Sequence, residues 1–107
     1  MINGRTKGLS YERDIANLLK EIFPNCKRHL ESQMQEARGF DLDNTGKLKF
    51  QLKRGRNYAP INKIEEIKED GIKILITRAD RKKDIVALYL TDFINLLLLL
   101  KEKGVVL

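Results

Sequence analysis

Apolar positions along this 107-residue chain change their spacing several times, and each change marks a new element. Tyr11, Ile15, Leu18, Leu19 and Ile22 recur at helical intervals behind Ser10, the expected N-cap, and Pro24 stops the helix. Residues 26–30 predict a short first strand, followed by a polar loop from Glu31 to Arg38. Phe40 and Leu42, then Leu48, Phe50 and Leu52, alternate with polar residues on either side of Asn44-Thr45-Gly46, the signature of a hairpin. A basic loop from Gly55 to Pro60 leads into a second helix with Ile61, Ile64 and Ile67 as its stripe and Gly71 as its stop. Two strands follow, Ile72 to Thr77 and Ile85 to Leu90, around the charged turn Arg78 to Asp84. A last helix begins near Thr91 or Asp92 and closes at Gly104; it is apolar on nearly all sides, which requires deep burial or a partner.

The hairpin parity places chemistry on one face. A three-residue loop pairs Asp43 with Lys47 and Asp41 with Lys49, so Asp41, Asp43, Lys47, Lys49, Gln51 and Lys53 share a face while Phe40, Leu42, Leu48, Phe50 and Leu52 form the core side. Asp41 and Gln51 then become diagonal neighbours about 7 Å apart, close enough for their oxygens to meet on one ion. A two-residue loop sets Asp41 opposite core-facing Phe50 and buries an unpaired carboxylate, at a cost of several kcal/mol. On the first helix, Glu12 borders the apolar stripe, since residues 12, 15, 16 and 19 are helical neighbours. Its simplest role is a first-turn acid complementing the helix dipole; beside the hairpin set, a role in a site becomes the stronger reading.

Composition narrows the partners. Lys and Arg number 21 against 15 Asp and Glu, a net charge of +6, which favours a polyanion, nucleic acid first. A single cysteine, Cys26, excludes an internal disulfide and a cysteine-based zinc site, and the single His29 removes imidazole metal sets. These features fit one domain, residues 1–107, in a reducing, cytoplasmic setting. No apolar run is long enough to span a bilayer, and no secretory leader is evident.

Lys7-Gly8-x-x-x-Glu12-Arg13, then Gly39-x-Asp41, then Gln51-x-Lys53 resembles the PD-(D/E)XK nuclease superfamily, most nearly its small archaeal and viral Holliday junction resolvases. The likeness runs from residue 5 to about 93. It implies a restriction-endonuclease-like αβββαβ core of the α/β (α+β) class, with a mixed central sheet flanked by helices. It also implies a homodimer acting on double-stranded or branched DNA, in a prokaryotic or viral context. The active site it implies comprises Glu12, Asp41, Gln51 and Lys53, where Gln51 stands in place of the usual strand Glu or Asp. Phosphodiester hydrolysis in such a site uses Mg²⁺ or Mn²⁺, with Asp41 as central ligand, the Gln51 side-chain and Leu52 backbone carbonyls beside it, and Glu12 direct or through water. Lys53 would orient the nucleophilic water or stabilise the phosphorane. The amide at position 51 lowers the charge of the set and with it the affinity for metal.

Arg5, Lys7, Arg13, Lys49, Arg54 and Arg56 supply DNA contacts in this reading, and Lys27, Arg28 and Arg38 extend the surface. Each taken singly is as readily a solvated side chain, and Lys53-Arg54-Gly55-Arg56 is the strongest run. Tyr58 stands alone among these cations, so backbone contact with duplex is favoured over base stacking. Asp43 reads as a turn residue capping backbone amides, His29 as having no catalytic duty, and Ser32 resembles a position that contributes to catalysis in some resolvases. Two other readings stand beside the resolvase: a restriction-like or repair nuclease on linear or modified duplex, and a DNA-binding module without catalysis.

Overall fold

The computed structural model describes residues 4–29 and 38–107, with the side chains of 4–6 left out. The order is α1 (Gly4–Leu19), β1 (Lys27–Arg28), β2 (Leu42–Asp43), β3 (Leu48–Gly55), a 3₁₀ segment (Ile61–Glu66), β4 (Ile72–Ala79), β5 (Ile85–Ala87) and α2 (Leu90–Glu102). β3 and β4 pair in parallel from Leu48↔Ile72 to Gly55↔Ala79, and β5 adds antiparallel to β4. β1 and β2 form a separate antiparallel pair, joined to β3 through the Asp41 N–H, which donates to the Phe50 carbonyl at 2.8 Å. The class is mixed α+β.

The three-stranded sheet is covered on both faces because its strands alternate between two cores. Even positions Phe50, Leu52, Ile72, Ile74 and Ile76 pack with Tyr11, Ile15 and Ala16 of α1, with Cys26 and Leu42, and with Leu96 and Leu99 of α2. On the other face Leu75 meets Phe40, Ile64 and Ile67, so the 3₁₀ segment covers the odd-numbered side. Phe40 and Leu42, expected on one core face, thus belong to different cores: Phe40 precedes β2, where no ladder enforces alternation.

Other expectations shift for physical reasons. α1 starts at Gly4, with Ser10 in its interior, because the first turns are held across the fold by Lys7 Nζ, which donates to the Asp80 carboxylate at 3.0 and 3.1 Å. Leu18 and Ile22 are each 69% exposed, since the sheet takes only the stripe of Tyr11, Ile15, Ala16 and Leu19. The second helix is a 3₁₀ turn: Ile61, Ile64 and Ile67 repeat every three residues, a spacing that eclipses in a 3₁₀ helix, with i→i+3 bonds such as Ile67 N–H to the Ile64 carbonyl at 3.0 Å. α2 ends as expected, with Gly104 at φ 88°, yet none of its residues is buried.

Candidate functional site

The turn between β2 and β3 sets the site. Asn44 (φ 64°) and Gly46 (φ 61°) adopt the left-handed conformation that Asn and Gly accept most readily. Thr45 is buried, its hydroxyl donating to the Leu48 carbonyl, and Asn44 Nδ2 donates to the Asn25 carbonyl at 2.9 Å. This wider, anchored turn displaces the expected register. Leu42 and Asp43 pair with β1, and Asp41 hydrogen-bonds to Phe50 in place of lying opposite Lys49.

Asp41 is half-buried at the edge of β3, where its Oδ2 accepts the Leu52 N–H at 2.7 Å. In an extended strand a residue's N–H and C=O point to the same edge, so the Leu52 carbonyl lies on the side of Asp41. Gln51 is 3% exposed, its Nε2 donates to the Gly39 carbonyl, and its Oε1 is buried without a hydrogen-bond partner among the described residues. Gly39 has φ 81°, and a Cβ there would collide with the Glu66 carbonyl, so this backbone approach requires glycine. Lys53 projects from the same strand face as Gln51, with Nζ 3.9 Å from Glu66 Oε2.

Glu12 occupies the middle of α1, half-buried, so the dipole role of a first-turn acid does not apply. Toward the start of the same helix Lys7 reaches Asp80, which Arg54 also approaches, and beyond the helix end the Phe23 ring meets Phe50 edge-on at 6.5 Å. α1 covers the even-numbered face of β3, opposite the face of Gln51 and Lys53.

The cations expected on DNA are largely engaged with acids. Lys7 and Arg54 converge on Asp80, with Arg54 Nη2 at 3.9 Å, and Lys7's hydrogen bond holds the Asp80 carboxyl below its ordinary range. Lys49 pairs with Glu69 at 3.6 Å and lies 5.3 Å from the centre of the Phe40 ring; Arg38 reaches the same Glu69 at 3.3 Å. Lys27, Arg38 and Lys49 line one groove of about 400 Å³ with Asp43 and Glu69, so its charge is mixed. Arg28 is half-buried in β1, and Arg13 and Arg56 are exposed. The Arg5 side chain and Ser32 lie outside the described residues.

His29 is buried, its Nδ1 2.7 Å from Asp43 Oδ1, so Asp43 binds a side chain where backbone capping was expected. Tyr11 donates to Asp84 Oδ1 at 2.7 Å; burial, then that bond, push its phenol well above the ordinary tyrosine range. Burial likewise raises the Cys26 thiol.

Sequence reading missed a concentration of positive charge that, among the described residues, stands outside the ion pairs. Arg78, Arg81, Lys82 and Lys83 line a groove of about 580 Å³ at the β4–β5 turn, and among the described residues none of the four forms an ion pair. The signal was the run Arg81-Lys82-Lys83 within a turn read only as a connection.

Among the described residues no three His, Cys, Asp or Glu side chains converge as a metal site, and no helix is long and apolar enough to cross a membrane. Oxygens of the kind a hard cation takes are carried by the Asp41 carboxylate, the orphaned Gln51 Oε1 and the Leu52 carbonyl. No family model matches the chain, and no curated protein and no solved structure matches it.

Proposed function

We propose that the protein is a metal-dependent DNA endonuclease of the PD-(D/E)XK type, acting on branched DNA in the manner of a Holliday junction resolvase. The observation that carries the reading is the buried Gln51 Oε1, unpartnered among the described residues, one position before the Leu52 N–H that holds Asp41, with Lys53 on the same strand face as Gln51. A buried amide oxygen left without a donor costs about 1–3 kcal/mol, and a bound cation would remove that cost. The parallel β3–β4 pair with its 3₁₀ crossover, preceded by α1 and the β1–β2 pair, supports an αβββαβ core in which the crossover helix is shortened.

In this reading Asp41, Gln51 and Leu52 would hold Mg²⁺ or Mn²⁺. Such an ion, when bound, neutralises charge developing on the phosphate and lowers the pKa of the attacking water. The Leu52 amide fixes the Asp41 carboxylate, and the Gly39 carbonyl fixes the Gln51 amide, so both ligands are oriented before metal arrives. Lys53 brings its ammonium to the scissile phosphate, with Glu66 restraining it. Glu12, carried by the helix that covers the even-numbered face of β3, would join the ion directly or through water.

A second copy of the chain is the partner assigned to the apolar surface of β5 and α2. Val86, Leu90, Phe93, Ile94 and Leu98 are exposed on these two elements, apolar side chains that a second copy would cover. An isologous pairing through this surface gives two equivalent sites, one for each of two strands of a junction.

The test is cleavage of four-way junctions, flaps and linear duplex, methylated and unmethylated, with Mg²⁺ or Mn²⁺, using wild type, Asp41→Asn and Lys53→Ala. Cleavage by wild type alone supports the reading; no cleavage of any substrate by wild type refutes it. A non-catalytic DNA-binding module is the second reading. It is favoured by the internal use of both polar groups, Asp41 on the Leu52 amide and Gln51 on the Gly39 carbonyl, as structural bonds. Salt-sensitive DNA binding without nicking distinguishes it.

A further inference from the structure

We infer that the β4–β5 turn is a preformed clamp for the phosphate backbone of duplex DNA, separate from the Asp41–Gln51 edge. Its groove of about 580 Å³ is lined by Arg78, Arg81, Lys82 and Lys83, with Asp84 as the one acid. Asp84 accepts the Tyr11 hydroxyl at 2.7 Å, whereas the four cations form no ion pair among the described residues. That distribution separates them from Lys7, Lys49 and Arg54, which share Asp80 or Glu69.

The turn is held in shape by its own bonds. Arg81 sits at φ 63°, the Lys82 N–H donates to the Ala79 carbonyl at 3.0 Å, and Arg78 Nε donates to the Lys82 carbonyl at 3.0 Å, which fixes the guanidinium plane. Tyr58 ties the loop after β3 to the same turn by donating to the Lys83 carbonyl at 2.7 Å. A cationic turn already ordered loses little conformational entropy on binding, and Arg is suited to bidentate contact with phosphate.

The groove also has a defined place relative to the proposed site. Lys53 pairs with Thr77 in the parallel ladder, and the next rung is Arg54↔Arg78, so the clamp begins one rung beyond Lys53 at the same end of the sheet. Side chains alternate faces along the ladder, so Arg78 lies on the α1 side of the sheet and Lys53 on the other, and a duplex held at the turn meets the end of the sheet between them. The choice of DNA rests on the nuclease reading; the concentration of charge and the rigidity of the turn do not.

The experiment is fluorescence anisotropy of a labelled duplex of about 25 base pairs in EDTA across a NaCl series, a length that spans several phosphate contacts. The variants are R81Q/K82Q/K83Q, a charge-matched control K20Q/K101Q/K103Q on exposed lysines elsewhere, and R81G, which removes charge while glycine accepts the left-handed φ. The groove variant is expected to bind at least about tenfold more weakly and to lose about 2–3 from the salt slope, and R81G about 1, with the control close to wild type. Equal weakening in groove variant and control overturns the inference, as does a wild type that does not bind. Metal-dependent cleavage is read separately. A wild type that binds through the groove yet never cleaves refutes the nuclease and keeps the clamp; cleavage with binding indifferent to the groove variant does the reverse.

Discussion

The Asp41 carboxylate accepts the Leu52 backbone N–H at 2.7 Å, so the acid of the proposed site also anchors the edge of β3. Asp41→Asn keeps an oxygen for that N–H and is expected to retain the fold while cleavage falls about 100-fold or more, since the charged ligand is lost. Asp41→Ala leaves the amide unsatisfied and lowers stability by about 1–3 kcal/mol as well. Urea denaturation beside a junction-cleavage assay separates the two; equal stability of the two variants would contradict the anchoring role.

Gln51→Glu replaces the amide that donates to the Gly39 carbonyl with a carboxylate that cannot donate when ionised. Without metal the variant is expected to be less stable by about 1–3 kcal/mol. With Mg²⁺ it should gain more in Tm than wild type and bind the ion about tenfold more tightly, because one more ligand carries charge. Thermal melts across a Mg²⁺ series check this, and a Tm indifferent to metal in both proteins would remove Gln51 from any cation site.

Asp80 is the shared acid of Lys7 and Arg54, and its carboxyl titrates below the ordinary range chiefly through Lys7's hydrogen bond. A depressed folded-state value means that its stabilisation is present above the unfolded pKa of about 3.9 and is lost as pH falls through the lower folded value. Asp80→Asn should therefore melt below wild type at pH 7, with the gap closing as the pH is lowered past that range. The same change releases two cations and is expected to strengthen duplex binding at low salt, read by anisotropy.

Phe93 and Leu98 are 43% and 57% exposed on α2, so changing them removes little from the core. Phe93→Glu with Leu98→Glu is expected to convert a dimer to a monomer in sedimentation or light scattering while leaving the circular dichroism spectrum unchanged. A wild type that is monomeric at every concentration would withdraw the partner assigned to this face.

What the chain declared of this architecture follows the range of the interactions concerned. Asn44 and Gly46 act through their own backbone angles, and the turn they mark is where local reading put it. The alternation along β3 is local too, so Lys49, Gln51 and Lys53 do share a face. The register against Asp41 depended on a buried Thr45 and on Asn44 reaching back to Asn25, contacts that no period announces. The bonds of Lys7 to Asp80 and Tyr11 to Asp84 each join residues 73 apart, and they decide which cations remain available for a ligand. The stripe Ile61, Ile64 and Ile67 carried its answer in the exact three-residue interval, a 3₁₀ interval more than an α one.

The parallel pairing of β3 with β4 also governs when the proposed site can exist. Parallel neighbours cannot be joined by a tight turn, and the intervening 3₁₀ segment is too short to stand in isolation, so this ladder is expected to close late, with both cores in place. The face carrying Gln51 and Lys53 and the rung leading to the basic turn are products of that same closure. A nascent or partly unfolded chain would then carry the positive charge without the assembled centre, and the proposed strand scission would be confined to molecules that have completed folding.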